Sequence, residues 1–226
     1  MRRLLRDAGL SLAFLAIFLV ALVGQSFAGL AEENDELAEH GHAALGYWDF
    51  VLSSRFVVDV AENWQSEFLQ FFLFILATIW LVQRGSPESK KPGDEGPGSE
   101  REQRLGRYAG RQSPGWAREA GGFRRWAYEN SLLITMGTIF LLSWLAQSLA
   151  GTVVTNEDRA EHGLPPIGWV EYLGSPEFWN RTLQNWQSEF LAVGSMVALS
   201  IYLRQRGSHE SKPVGMPHHL TSAESD

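Results

Sequence analysis

Four apolar stretches constrain this chain most, because each runs for 14 or 15 residues with almost no charge. They occupy residues 10–23, 68–82, 132–145 and 190–203. A hydrocarbon core of about 30 Å needs about 20 helical residues. Extended at their outer ends, the stretches approach that length, as helices over about 10–30, 63–82, 131–151 and 186–203. Soluble helices carry a polar face, which residues 71–76 lack. The sequence therefore predicts an all-α membrane protein with four transmembrane helices.

The two halves of the chain align without a gap after a shift of 122 residues. The string NWQSEFL occurs at residues 63–69 and again at 185–191. The strings QSxAG, AEHG, QRGS and ESK recur on the same alignment, and roughly a third of the aligned positions are identical. Such self-similarity predicts a tandem duplication of a unit with two helices and an outer loop.

The duplication predicts the domain organisation. Repeat 1 covers residues 1–90 with an acidic outer loop at 31–62, and repeat 2 covers 123–212 with an outer loop at 152–185. Residues 91–122 are rich in Pro, Gly, Ser and charge, which predicts a disordered cytoplasmic linker. Residues 213–226 are predicted to form a disordered tail.

The distribution of Lys and Arg predicts the orientation. Of 19 such residues, only Arg55, Arg159 and Arg181 lie in the outer loops. The positive-inside rule then places both termini and the linker in the cytoplasm. Because each unit has two spans, both units insert in the same direction and form parallel repeats. Arg2 and Arg3 align with Arg124 and Arg125 within this pattern.

The first apolar stretch also resembles a signal peptide, with a basic start and small residues at Gly29 and Ala31. The same QSxAG ending closes the third stretch, deep inside the chain. The ending therefore belongs to the repeat, and we expect the first helix to be retained.

The second and fourth stretches reach spanning length only by including Glu67 and Glu189, with Trp64 and Trp186 at the interface. A charge inside a membrane helix is costly unless it is paired or faces water. We therefore expect both glutamates to face the bundle interior. By helical rise, two Gln–Ser pairs lie at a similar depth and can donate hydrogen bonds to them: Gln25, Ser26, Gln147 and Ser148.

Two interpretations of this polar site remain open. In the structural one, Asn63 and Asn185 begin the helices, the tryptophans anchor them, and the glutamates join neighbouring helices by hydrogen bonds. In the functional one, the paired glutamates form a cation or proton site at the outer mouth, fed by acidic loops. A separate helix start is predicted at Ser175, with Pro176 in the first helical position.

The sequence offers little for an enzyme or a metal site. His40 and His162, each beside a glutamate, are weak candidate metal ligands, and a polar turn ended by glycine explains the EHG strings equally well. The chain has no cysteine, which excludes disulfides and thiolate sites. A membrane enzyme would need Glu67 brought to His40. We predict no catalytic residue, no cofactor and no nucleic-acid partner.

Together, the motifs GQSxAG, EHG, NWxSEFLQ and QRGSxESK resemble those of a family of uncharacterised bacterial multi-pass membrane proteins, a domain of unknown function. The resemblance covers both repeats, and it departs where EHGHAALG lacks the prolines of EHGLPPIG. It implies a location in the bacterial inner membrane and no particular activity. We predict a non-enzymatic, structural or envelope-associated protein in the lipid bilayer. The alternative is a small cation- or proton-linked channel or transporter, expected to be a homo-oligomer because four short helices enclose little space.

Overall fold

The computed structural model describes residues 6–221, and these form seven α-helices and no strand. The helices are α1 (Gly9–Glu39), α2 (Tyr47–Val51), α3 (Ser54–Trp80), α4 (Phe123–Glu129), α5 (Ser131–Glu161), α6 (Trp169–Leu173) and α7 (Pro176–Leu199). The predicted all-α class is confirmed. Arg2, Arg3 and the last five residues of the predicted tail lie outside the described residues.

By length and composition, α1 and α5 are the two described helices that could cross a membrane. The other two long helices fall short for a physical reason. Helix α3 ends at Trp80 and α7 at Leu199, before their apolar stretches end. Any stretch of spanning length within them must therefore include the polar residues of the NWQSEFL string.

Helices α1 and α5 continue well past their apolar parts, to Glu39 and Glu161. The segment added to α1, residues 31–39, is rich in Ala, Leu and Glu, which have high helix propensity, whereas the segment added to α5, residues 152–161, is not. Both EHG strings form the helix end. The ring nitrogen Nδ1 of His40 lies 2.9 Å from the carbonyl oxygen of Glu36, and Gly41 follows with a left-handed φ of 75°. The second EHG string repeats this geometry at His162 and Gly163.

The prediction that Asn63 and Asn185 begin helices is wrong. Helix α3 begins at Ser54 and α7 at Pro176, so both NWQSEFL strings lie in helix interiors. Hydropathy marks where an apolar stretch begins, whereas the helix itself begins upstream. The predicted start at Ser175 is confirmed, since its hydroxyl accepts a hydrogen bond from Phe178 N at 3.2 Å.

The chain divides into two compact units. The first comprises the chain up to Ala61 together with Ala146–Leu173. In this unit the short helices α2 and α6 each place an aromatic ring against a glycine of a long helix. A Cβ on Gly29 would lie 2.8 Å from the ring of Phe50, and a Cβ on Gly151 would clash with the hydroxyl of Tyr172. The absence of a side chain at these glycines therefore makes room for the aromatic rings of the short helices.

The second unit comprises Glu62–Leu145 and the chain from Gly174 onwards. It includes the linker, which contains two short 3-10 turns, Gly106–Tyr108 and Gly115–Arg118. The buried side chain of Arg125 joins α4 to the linker, with ion pairs of 2.6 Å to both Glu100 and Glu129. The predicted disorder of residues 91–122 stays a prediction.

The glycine contacts lead to the first testable prediction. Gly29→Ala and Gly151→Ala are expected to lower the melting temperature of the purified protein in detergent, because overpacking costs about 1–3 kcal/mol. Gly24→Ala on α1 and Gly194→Ala on α7 are matched controls, since a Cβ there meets no atom within 4 Å. The controls should hold or raise the melting temperature, by helix propensity. Four equal melting temperatures would contradict the close contacts of Gly29 and Gly151.

Candidate functional site

The NWQSEFL string of α3 has a buried face and an exposed face on opposite sides of the helix. Val58, Ala61, Gln65 and Leu69 are buried and follow one another at intervals of three or four residues. Glu67 lies two positions after Gln65, which rotates it to the other side of the helix, and it is exposed. The prediction that Glu67 faces the interior is therefore wrong. The rise per residue predicts how far along the helix axis Glu67 lies, but it does not predict on which side of the helix the side chain lies.

Gln65 is fully buried, and both polar atoms of its side-chain amide have hydrogen-bond partners. Trp186 Nε1 donates to Gln65 Oε1 at 2.8 Å, and Gln65 Nε2 donates to the carbonyl oxygen of Glu62 at 3.1 Å. The bond to Trp186 joins α3 to α7. Such interhelical hydrogen bonds hold apolar helices together where lipid offers no competing partner.

Trp186 has a role that its sequence position did not predict. It was predicted to anchor α7 at the membrane interface. In the structure its ring packs beside Trp144, with centroids 6.0 Å apart, and Trp144 stacks on Phe178 at 5.9 Å. Trp186 is therefore both an aromatic packing residue and the donor to Gln65.

An ion pair also joins α3 and α7. Arg181 lies 3.1 Å from Glu62 and 3.8 Å from Glu177, and its side chain is partly exposed. Exposed pairs of this kind contribute about 0–1 kcal/mol. The hydrogen bond of the buried Gln65 is therefore the more consequential contact between these helices.

The two glutamates of the repeated string come near each other. Glu67 is exposed and Glu189 is half-buried, and their charges are close enough to interact. Further along α3 and α7 lies a cavity of about 240 Å³, and its lining includes Gln70, Phe74 and Met196. Gln70 Oε1 is buried with no hydrogen-bond partner among the described residues. Two like charges that interact with each other favour binding a cation or a proton between them.

The predicted serine partners bind the outer loops. Ser26 Oγ donates to the carbonyl oxygen of Val23 at 2.8 Å and lies 3.0 Å from the hydroxyl of Tyr47. At the equivalent position of repeat 2, Trp169 Nε1 donates to Ser148 Oγ at 3.0 Å. Tyr47 and Trp169 are the first residues of α2 and α6, so each serine fixes the start of a short helix.

The glutamines of the two QSxAG strings differ in burial. Gln25 is half-buried, whereas Gln147 is fully buried. Neither amide atom of Gln147 has a hydrogen-bond partner within residues 6–221. The predicted hydrogen bond from Gln147 to a glutamate is therefore wrong. The bonds predicted from Gln25, Ser26 and Ser148 to Glu67 and Glu189 stay a prediction.

Arg55 organises the acidic residues of the first unit, which sequence analysis did not foresee. Its guanidinium lies 3.0 Å from Glu33 on α1 and 3.1 Å from Asp158 on α5, with Glu36 at 3.8 Å. The sequence signal that could have predicted these ion pairs is that Arg55 is the one Lys or Arg in a loop with eight acidic residues. It joins the ends of α1 and α5 through their carboxylates.

The two histidines of the EHG strings act locally. Each ring nitrogen bonds a carbonyl oxygen of its own helix, at 2.9 Å for His40 and 2.7 Å for His162. The hydrogen bond to Glu36 raises the pKa of His40. Within the described part of the chain, no three His, Cys, Asp or Glu side chains are grouped to bind a metal.

Comparison with known protein families identifies the chain. Residues 1–223 match the family model described as Domain of unknown function (DUF6766). The chain belongs to this family. The predicted resemblance to a domain of unknown function is thereby confirmed. No curated protein and no solved structure matches the DUF6766 chain.

The buried amide provides the second prediction. Gln65→Ala should destabilise the DUF6766 chain by about 1–3 kcal/mol, because Trp186 Nε1 loses its acceptor inside the packed helices. Gln187→Ala is the matched control, since Gln187 holds the same position in the second string and is exposed. It should change stability by less than about 0.5 kcal/mol. Unfolding in detergent, followed by tryptophan fluorescence, measures the stability of both variants. Equal losses of stability would contradict the different roles of Gln65 and Gln187.

Proposed function

We propose that the DUF6766 chain is an integral protein of the bacterial inner membrane that crosses the bilayer four times. The support is the exposure of large apolar side chains on every long helix. Examples are Leu10, Val20, Phe71, Leu76, Leu141, Leu142, Leu191 and Leu199. In the most apolar part of α1, only 6% of the residues are buried. Exposed apolar surface on this scale needs lipid or another protein to cover it.

The proposed membrane protein consists of two parallel repeats with both termini and the linker in the cytoplasm. Contacts that recur after 122 residues support the repeat. Asn34 exchanges two hydrogen bonds with Leu45, and Asn156 does the same with Ile167. The Ser26–Tyr47 and Ser148–Trp169 contacts recur in the same way. The Lys and Arg distribution supports the orientation.

The proposed role is structural and non-enzymatic, and the observation that carries it is the hydrogen bond between Trp186 and Gln65. Both serines of the repeated string form hydrogen bonds within their own helix. Ser66 Oγ donates to the carbonyl oxygen of Asn63, and Ser188 Oγ donates to that of Asn185. A string that shapes and joins helices in this way supports a scaffold better than a reaction centre.

Cysteine labelling tests the four crossings, and the chain has no native cysteine to interfere. Ala44→Cys and Leu164→Cys probe the two outer loops, and Gln112→Cys probes the linker. In spheroplasts, a membrane-impermeant maleimide should label positions 44 and 164 directly, because the positive-inside rule leaves these loops outside. It should reach position 112 only after permeabilisation.

The labelling pattern also distinguishes two crossings from four. If only α1 and α5 crossed, positions 44 and 112 would lie on the same side and position 164 on the other. Direct labelling at 112 with protection at 164 would therefore overturn the four-span proposal. Labelling of all three positions in intact spheroplasts would overturn it too.

A second candidate function is a cation- or proton-linked pathway, and the approach of Glu67 and Glu189 favours it. Acids in membrane helices commonly mark ion and proton paths. The acidic loops would raise the local cation concentration near such a site. In this candidate the protein acts as an oligomer, since one chain encloses little space.

Flux measurements separate the two candidates. Proton and cation flux would be measured in proteoliposomes for the wild type and for the Glu67→Gln, Glu189→Gln double variant, with melting temperatures from the same samples. The structural role predicts no flux in either protein. The transport candidate predicts a wild-type flux that the double variant loses while its melting temperature holds. Glu171→Gln, an exposed position on α6, is the control for removing a carboxylate.

A further inference from the structure

We propose that the DUF6766 chain binds one anionic phospholipid where α3, α4 and α5 meet. An acyl chain of the lipid would lie in an apolar cavity between these helices, called the groove here, and its phosphate would lie on arginines of the linker. The groove and the linker both belong to the second compact unit. The inference rests on the proposed location in the membrane and names a partner within it.

The groove is large enough for a ligand and is mostly apolar. Its volume is about 480 Å³, within the range of about 300–1,000 Å³ that is typical of small-molecule pockets. Phe72 of α3 lines it together with Trp126 of α4, and most of the other lining residues belong to the first turns of α5. Two of these, Ile134 and Leu141, are exposed, so the groove opens to the surroundings of the protein.

The shape and chemistry of the groove suit an acyl chain. A Cβ on Gly137 would lie 3.1 Å from the ring of Phe72, so the glycine lets this ring lie against α5. The one amide among the lining residues is occupied, because Asn130 Nδ2 donates to the carbonyl oxygen of Trp126 at 2.8 Å. A hydrophilic solute would therefore find few hydrogen-bond partners there, whereas an acyl chain needs none.

The segment that leads into α4 is strongly basic. Residues 101–125 contain seven arginines and two glutamates, a net charge of +5, although the whole chain carries −7. Five of these arginines are exposed and form no ion pair within residues 6–221: Arg101, Arg104, Arg111, Arg118 and Arg124. Their guanidinium groups are available to an anion, and arginine binds phosphate through two parallel hydrogen bonds.

Contacts between the linker and α4 keep this basic segment near the groove. Trp116 of the linker packs edge-on against Tyr128 of α4, with ring centroids 6.4 Å apart. Arg125 Nη1 donates to the carbonyl oxygen of Ala120 at 3.0 Å. Phe123, the first residue of α4, stacks at 5.9 Å on Trp126, which lines the groove. A lipid with its acyl chain in the groove would therefore have its headgroup near the arginines.

The two parts of the site together select the occupant. Free phosphate would bind the arginines but leave the apolar walls of the groove uncovered. An uncharged apolar molecule would cover the walls but leave the arginines without an anion. Basic residues beside membrane helices commonly bind anionic headgroups, and an anionic phospholipid satisfies both parts of this site.

Native mass spectrometry of the full-length protein, released from a neutral detergent, counts bound lipids directly. Phosphatidylglycerol and phosphatidylcholine with identical acyl chains would be titrated in parallel. We expect one phosphatidylglycerol to bind per chain, with an affinity about tenfold or more above that of phosphatidylcholine, because the arginines attract a headgroup with a net negative charge. Excess inorganic phosphate should leave the lipid bound, since it has no acyl chain to occupy the groove.

A matched pair of variants tests the groove. Thr138 lines the groove, so Thr138→Trp places a large ring in it and should lower the affinity for phosphatidylglycerol about tenfold or more. Thr135→Trp makes the same change at an exposed position of α5 that does not line the groove, and it should leave the affinity unchanged.

A second pair of variants tests the arginines. The triple variant Arg111→Gln, Arg118→Gln, Arg124→Gln should lose the preference for phosphatidylglycerol and keep the weaker binding of phosphatidylcholine. The control triple variant Arg84→Gln, Lys91→Gln, Arg206→Gln removes the same charge outside residues 101–125 and should keep the preference.

Melting temperatures from the same samples identify any variant that fails to fold. The arginine variants change exposed side chains, so they decide the question even if Thr138→Trp unfolds. Equal wild-type affinities for the two lipids would overturn the inference, as would full binding by a folded Thr138→Trp or displacement of the lipid by inorganic phosphate. Because binding is measured in detergent, it does not depend on the number of crossings. Absence of binding beside a four-crossing labelling pattern would overturn this inference alone.

Discussion

The structure depends on the exposed apolar surface of its four long helices, because that surface is unfavourable in water and needs lipid or another protein to cover it. In lipid, a polar side chain must find its partner within the protein. The hydrogen bond from Trp186 to Gln65 joins two long helices, and those of Ser26 and Ser148 hold the short helices α2 and α6. The proposed structural role follows from the same requirement, since these groups are occupied in assembly.

The sequence predicted the helical class and the apolar stretches because both depend on local composition. Ser175 was predictable as a cap, since capping needs only a few adjacent residues. The other long-helix boundaries were not. Helix α1 continues to Glu39 through a polar segment of high helix propensity, which a hydropathy pattern does not distinguish from a loop. Helix α3 begins nine residues before Asn63, through a segment whose three valines do not favour a helix, so propensity did not mark its start.

The candidate site shows a different limit. Identical strings suggested identical roles, yet Gln65 is buried while Gln187 is exposed. Burial depends on what packs against a residue, which the string does not contain. The burial of Ser86 was likewise hidden, because its neighbour Ser200, whose hydroxyl lies 3.5 Å away, comes 114 residues later in the chain. Contact between distant segments is a property of the tertiary fold.

The bond between Gln65 and Trp186 runs in one direction only, from the tryptophan of the second repeat to the glutamine of the first. A symmetric pair of identical units would have to place the same glutamine in both environments. Two copies of the string within one chain avoid that requirement, since each copy has its own surroundings. The aligned charges differ as well, with Arg55 in the first half at the position where the second half has Glu177. The two halves are therefore complementary rather than interchangeable, and their order along the chain carries structural information.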